Sequence, residues 1–182
     1  MSVSPVKRLI LETMWMLDKP SKPGEIAKDT GVSFKQAWMH LLGLTKMQYV
    51  SSPEKGFYII TEKGKKSLGI PEVDKQKATE ILKYLPMEKS FHFYADIGKP
   101  LDIFATSLSD FCDKIQKIDS SSIEFHVRRG DFEAWFTSIG DVELTRKTLL
   151  VKEQKMLGEE LRRKLQDIVR KRFDELASIR SS

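Results

Sequence analysis

The sequence predicts a mainly α-helical chain with one small β-wing, and three observations carry that prediction. Helix stops and starts recur in pairs, at Gly31-Val32-Ser33, Gly130-Asp131 and Gly140-Asp141, where a residue suited to a left-handed C-terminal position meets one able to cap the next helix. Apolar residues repeat at intervals of three and four along most of the segments between these breaks. Only Tyr49-Val50-Ser51-Ser52 and Phe57-Tyr58-Ile59-Ile60 combine β-branched and aromatic residues around a Pro and Gly turn, which reads as a hairpin.

In chain order, Pro23-Gly24-Glu25-Ile26-Ala27 opens a helix that Thr30-Gly31 closes, and Ser33 can cap the next by accepting from an orphan backbone N–H. Along that second helix Ala37, Leu41 and Leu44 fall on one face, toward a core. The hairpin follows around Pro53-Glu54-Lys55-Gly56, and Thr61 can cap a short helix through Lys66-Ser67-Leu68. Helix, tight turn, helix and hairpin in this order make a winged helix-turn-helix from Gly24 to Lys66, a reader of nucleic acid.

The residues also resemble known families. Val32-Ser33, Ala37, His40-Leu41, Leu44 and Tyr49-Val50 look like the recognition-helix pattern of ArsR and MarR repressors, and Tyr58 to Lys65 is similar to the segment that leaves the wing in MarR and PadR regulators. The resemblance implies DNA binding and transcription regulation. Gln48 departs from it: those families usually carry glycine before the wing strand, and Gln is strained if φ is positive there.

Pro71 to Asp74 breaks the pattern, so the expected organisation is a winged helix-turn-helix domain over residues 1–70, a linker helix over 71–88 and an α-helical domain over 89–182. Asp74 begins the linker helix through Ala78, Ile81, Leu82 and Leu85, closed by Pro86. Ser90 to Tyr94 reads as a short extended segment, after which helical punctuation takes over. Ser107 with Asp110 resembles a capping pair, Asp119 or Ser120 caps a helix through Arg129, and Asp131 starts another carrying Phe132, Trp135 and Phe136. The last helix, roughly 157–179, places Leu161, Leu165, Ile168, Val169 and Leu176 on one stripe. Ser107-Leu108 with Phe111, Ile123 to His126, Arg129 to Phe132 with Trp135, Gly140-Asp141 with Leu144, and Gly158 to Arg162 resemble a helical domain-of-unknown-function family of archaea and bacteria, over about residues 90–178. That likeness implies a fold and no activity.

Charge is unevenly placed along the 182 residues. Residues 1–70 carry eleven Lys and Arg against six Asp and Glu, whereas residues 71–182 carry twenty of each, so the net +5 lies in the first part. A phosphate-facing module needs that excess, because neutralising backbone charge supplies most non-specific affinity. Arg146 to Arg172 is locally basic beside an acidic stretch, which complementary packing explains better than a second nucleic-acid surface through Arg162, Arg163, Lys164, Arg170, Lys171 and Arg172.

Other classes find little support. No apolar run exceeds four residues, and the N-terminus lacks the apolar stretch of a secretory signal, so a cytoplasmic protein without a membrane span is expected. A single cysteine, Cys112, excludes an internal disulfide, and His40, His92 and His126 have no ligand spacing, so neither metal nor cofactor is expected. No phosphate loop, dinucleotide fingerprint or nucleophile elbow occurs, and no catalytic residue is assigned. The densest chemistry is Glu124, His126, Arg128, Arg129, Asp131 and Glu133; pairing of Glu124 with Arg128 and capping by Asp131 leave His126 and Arg129 as candidates to bind a small ligand. Asparagine is absent and Lys, Arg and Glu are plentiful, a thermophile-like composition.

The candidate DNA contacts are Ser33, Lys35, Gln36, Trp38 and Met39 on the second helix, with Lys55, Lys63, Lys65 and Lys66 in and after the wing. One feature resists a base-reading role: Phe34, Trp38 and Leu42 form a second apolar stripe where Arg, Lys, Asn or Gln usually read base edges. DNA, the second domain or a protein partner could cover that stripe. The expectation is therefore a regulator that binds double-stranded DNA as a homodimer, with a helical dimerisation or effector domain. The alternatives are a protein-protein adaptor using the stripe, and a ligand-binding or enzymatic carboxy-terminal domain.

Overall fold

The computed structural model describes residues 3–182, which fold mainly as α-helix with two antiparallel two-stranded sheets and separate into compact units at Glu72 and Val73.

The first unit holds three helices, a hairpin and a short helix: α1 (Pro5–Leu17), α2 (Pro23–Thr30), α3 (Phe34–Lys46), β1 (Val50–Ser51), β2 (Ile59–Ile60) and α4 (Glu62–Ser67). Gly31 ends α2 at φ 73°, in the left-handed region that favours glycine. Helix α3 then begins with a full capping box, in which Ser33 Oγ accepts from the Gln36 N–H while Gln36 Oε1 accepts from the Ser33 N–H. Ile10, Leu11, Met14 and Trp15 of α1 pack with Ile26, Ala37, Leu41, Leu44, Val50 and Ile60 as the core. The sequence reading assigned no separate element to α1, although its apolar residues supply part of that core.

Val50 pairs with Ile60, and Ser21 extends the sheet by exchanging two backbone hydrogen bonds with Tyr58. Thr61 ties the start of the hairpin to α4. Thr61 Oγ1 donates to the Gln48 carbonyl at 2.7 Å and accepts from the Gly64 N–H. Gly64 is required there because a Cβ would be driven into the Tyr49 carbonyl oxygen.

The second unit runs α5 (Lys75–Leu82), β3 (Phe91–Asp96), β4 (Lys99–Ala105), α6 (Leu108–Ile115), α7 (Ser120–Arg129), α8 (Asp131–Ser138), α9 (Val142–Glu153) and α10 (Gly158–Ser181). Helix α5, expected as a linker, belongs to this unit and packs against α10. Asp74, Ser107, Asp119 and Asp141 cap α5, α6, α7 and α9 through their side chains. Asp131 does not cap α8: that position falls to Gly130, and the Asp131 carboxylate is engaged elsewhere.

The extended segment at 90–94 is the first strand of a second hairpin that the helical reading of this region did not include. Its partner strand carries Pro100 and Asp102 inside the run, Asp102 has φ 54°, and the register shifts near Tyr94, so period-two alternation is lost. Phe91 and Phe93 from this hairpin meet Phe111, Phe132 and Trp135 in an aromatic core, and the Trp135 indole N–H donates to the Lys89 carbonyl.

Helix α10 lies against α5, α6, α7 and α9. Its Arg172 is 2% exposed and donates to Asp141 Oδ2 at 2.9 Å and to Glu143 Oε2 and Glu175 Oε2 at 2.8 Å each. Burial works against the charge, yet Asp141 and Glu143 outweigh it and hold the guanidinium pKa above its ordinary value. Arg172 therefore cannot belong to a nucleic-acid surface. Arg170 pairs with Asp113, and Arg162 donates to Glu159 and the Ile115 carbonyl, in keeping with complementary packing of the basic stretch.

Candidate functional site

Capping decides what the start of α3 presents. Ser33 and Gln36 hold each other, with Ser33 Oγ also donating to Gln36 Oε1 at 3.1 Å, so the carbonyl end of Gln36 is spent on the helix and its amide nitrogen remains. Ala37, Leu41 and Leu44 face inward, and Lys35 is exposed. Phe34, Trp38, Met39 and Leu42 are 61, 47, 55 and 39% exposed, so the second apolar stripe lies at the surface of α3.

The lysines of the hairpin and α4 divide. Lys55 is exposed near the hairpin tip beside Gly56, and Lys63 is exposed, donating to Gln48 Oε1 at 3.2 Å and lying over the Tyr49 ring. Lys66 is exposed and bonded at 2.8 Å to Glu72, which raises its pKa. Lys65 must be removed from the candidate contacts: it is 6% exposed and its ammonium pairs with Glu62 at 3.2 Å. The alternation of Lys63, Lys65 and Lys66 on one short helix turns Lys65 inward.

Exposed Lys22 and Lys46 are not among the contacts expected from the sequence. Lys22 lies over the Phe57 ring at 5.2 Å, brought to the hairpin by the Ser21–Tyr58 pairing, and Lys46 closes the last turn of α3. Lys22 precedes a helix in the sequence, and no local pattern ties it to Phe57, 35 residues later. Lys46 could have been found as a basic residue at a helix C-terminus.

In the second unit the structure gathers His126, Arg129 and Asp131. His126 is 2% exposed; its Nε2 accepts from the Tyr94 backbone N–H at 2.9 Å and its Nδ1–H donates to Asp131 Oδ2 at 2.8 Å. This arrangement assigns the neutral Nδ1–H tautomer. Burial depresses the imidazole pKa and outweighs the opposing pull of Asp131. With both nitrogens committed, His126 has none left for a substrate.

Arg129 Nε donates to the same Asp131 oxygen at 3.1 Å, and its guanidinium lies 5.2 Å over the Phe125 ring. These residues border a cleft of about 340 Å³ with Phe91, Tyr94 and Ile97. Arg129 is the exposed cation of that cleft, and His126 is part of its wall. The expected Glu124–Arg128 pair does not form, because Glu124 Oε1 instead accepts from the Gly158 N–H at 2.7 Å.

Cys112 is fully buried, and burial pushes its thiol pKa to about 11, which leaves it protonated at neutral pH. Glu133 has both carboxylate oxygens buried without a hydrogen-bond partner, and that desolvation raises its pKa. Among the described residues, no group of three His, Cys, Asp or Glu is placed to hold a metal ion, and no helix is long and apolar enough to cross a membrane. Comparison of the chain with protein-family models, with curated proteins and with solved structures finds no match.

Proposed function

We propose that the first unit is a winged helix-turn-helix that binds duplex DNA, and that the protein acts as a transcription regulator, with the second unit serving dimerisation or effector sensing. The observation that carries this reading is the placement of exposed lysines at both ends of one construction: Lys35 and Lys46 on α3, and Lys22, Lys55 and Lys63 around the hairpin. Their charge is unbalanced across residues 1–70 and balanced over the rest of the chain.

Binding of this kind relies chiefly on phosphates. Phosphate contacts position a protein on DNA without reading its sequence, whereas bidentate contacts to base edges specify it. The exposed face of α3 is poor in groups able to make bidentate contacts, since Gln36 is half committed to its cap and Trp38 and Met39 offer apolar contact with thymine methyls at most. The test is binding of the purified protein to random-sequence duplex across a salt series. Four or five phosphate contacts give a log–log slope of roughly −4, at about −0.9 per contact. No binding at low salt would sink the assignment.

The exposure of Phe34, Trp38, Met39 and Leu42 favours one second reading, an adaptor that docks a protein on α3. Trp38→Ala separates the two. Loss of duplex affinity places Trp38 in the groove; unchanged duplex affinity together with loss of a co-purifying protein places it in a protein interface.

A further inference from the structure

A groove of about 370 Å³ lies in the second unit between α7, the end of α9 and the loop that leads into α10. Its apolar lining is Val127, Met156, Leu157 and Leu161, and its rim carries Arg128, Lys152 and Lys155. We infer that this groove binds a small amphiphilic carboxylate, with the apolar body on Met156 and Leu157 and the anionic head between Arg128 and Lys155.

Three cations border one small space that a single carboxylate, Glu124, shares; its Oε1 accepts from the neutral Gly158 N–H, and the cations outnumber it by two. Neither Arg128 nor Lys155 has an ion-pair partner among the described residues, while Lys152 is offset electrostatically by Glu133. Like charges gathered at one rim repel, and an anion seated among them relieves that repulsion.

Leu157 stands 66% exposed at the mouth, beside a floor whose Leu161 is 1% exposed. An inorganic anion would answer the rim and leave this apolar surface wet; a neutral hydrocarbon would do the reverse. One molecule with a carboxylate at one end and an aliphatic chain at the other satisfies both. The volume sits at the small end of the range for small-molecule sites, roughly 300–1,000 Å³, which suits a medium chain.

The loop is also anchored to α7 at its end. Glu124 reaches from α7 to the first N–H of α10, and Lys155 adopts φ 54°, a left-handed conformation that costs a non-glycine residue free energy. Anchoring of this kind lowers the ordering cost of binding.

Titration calorimetry of the full chain with sodium decanoate, below its micelle concentration and without DNA, tests the site independently of the DNA-binding assignment. Decanoate should bind with a saturable one-site isotherm, and acetate and decyltrimethylammonium, which lack the tail or reverse the head, should not. Arg128→Glu with Lys155→Glu, both at exposed positions, should weaken decanoate at least tenfold, or about 1.4 kcal/mol. Leu157→Ser should weaken it with the rim charges intact. Absence of decanoate binding, equal binding of the cationic amphiphile, or an unchanged isotherm in the charge-reversed variant would overturn the inference.

Discussion

Single residues show how hydrogen bonding decides between a working group and a structural one. His126 stood out in the sequence by elimination, yet its ring bridges the Tyr94 backbone N–H and Asp131 and stays neutral because it is buried. Its folded pKa lies below the ordinary value of 6.5, so the unfolded chain takes up a proton first as the pH falls. The stabilisation that His126 contributes is therefore full above pH 6.5 and is lost as the pH drops from there toward the folded pKa. The stability gap between the parent and His126→Gln, measured by urea denaturation, should be widest near pH 8 and narrow toward pH 5, below the unfolded histidine's titration. A gap that widens on acidification would mean that the ring is charged in the folded state. Gln48 shows the opposite relation between sequence and structure, since its φ of 62° is the strain that a missing glycine implied. Gln48→Gly removes a left-handed cost of about 1–2 kcal/mol and adds chain entropy worth about 0.4–1 kcal/mol, so a net stabilisation of up to about 1.6 kcal/mol is expected in chemical denaturation. Destabilisation would show that the Lys63 bond to the Gln48 side chain outweighs the strain.

Elements were legible where their ends are written in side chains. Ser33, Asp74, Ser107, Asp119 and Asp141 are polar residues before apolar periodic runs, Thr61 precedes a short charged helix, and each accepts a backbone N–H as a helix cap. Strand β4 was illegible for the converse reason: Pro100, Asp102 and a shifting register erase alternation, and its pairing with β3 is a tertiary fact. The partners of charged residues were equally hidden. Glu124 lies four residues before Arg128 and could have paired within its helix, but the chain brings Gly158 closer. Arg172 belongs to a run of three cations that sequence alone could have placed on a surface, and Asp141 and Glu143 from the start of α9 draw it inside. This cluster tethers α10 to α9. Arg172→Ala leaves buried carboxylates unpaired, and a loss of about 3–5 kcal/mol in unfolding free energy is expected. A loss below about 1 kcal/mol, the size of an exposed ion pair, would mean that water replaces the guanidinium without cost.

At the scale of the whole molecule the charge asymmetry supports the DNA-binding proposal beside the placement of exposed lysines, and the buried lysine supplies its internal control. Lys55 and Lys65 contribute equally to the net charge of the first unit, but Lys55 is exposed near the hairpin tip and Lys65 is buried against Glu62. If affinity came from net charge alone, removing either would change the salt dependence alike. Counterion release instead counts only cations that meet phosphates. Lys55→Ala should therefore weaken binding to all duplex sequences about equally and make the log–log salt slope shallower by about 0.9. Lys65→Met should lower thermal stability by losing its Glu62 partner while leaving the slope unchanged for the folded protein. Measured side by side by fluorescence anisotropy, equal changes in slope for the two variants would place the attraction in the overall field of the chain, and no change for either would remove the hairpin from the DNA interface.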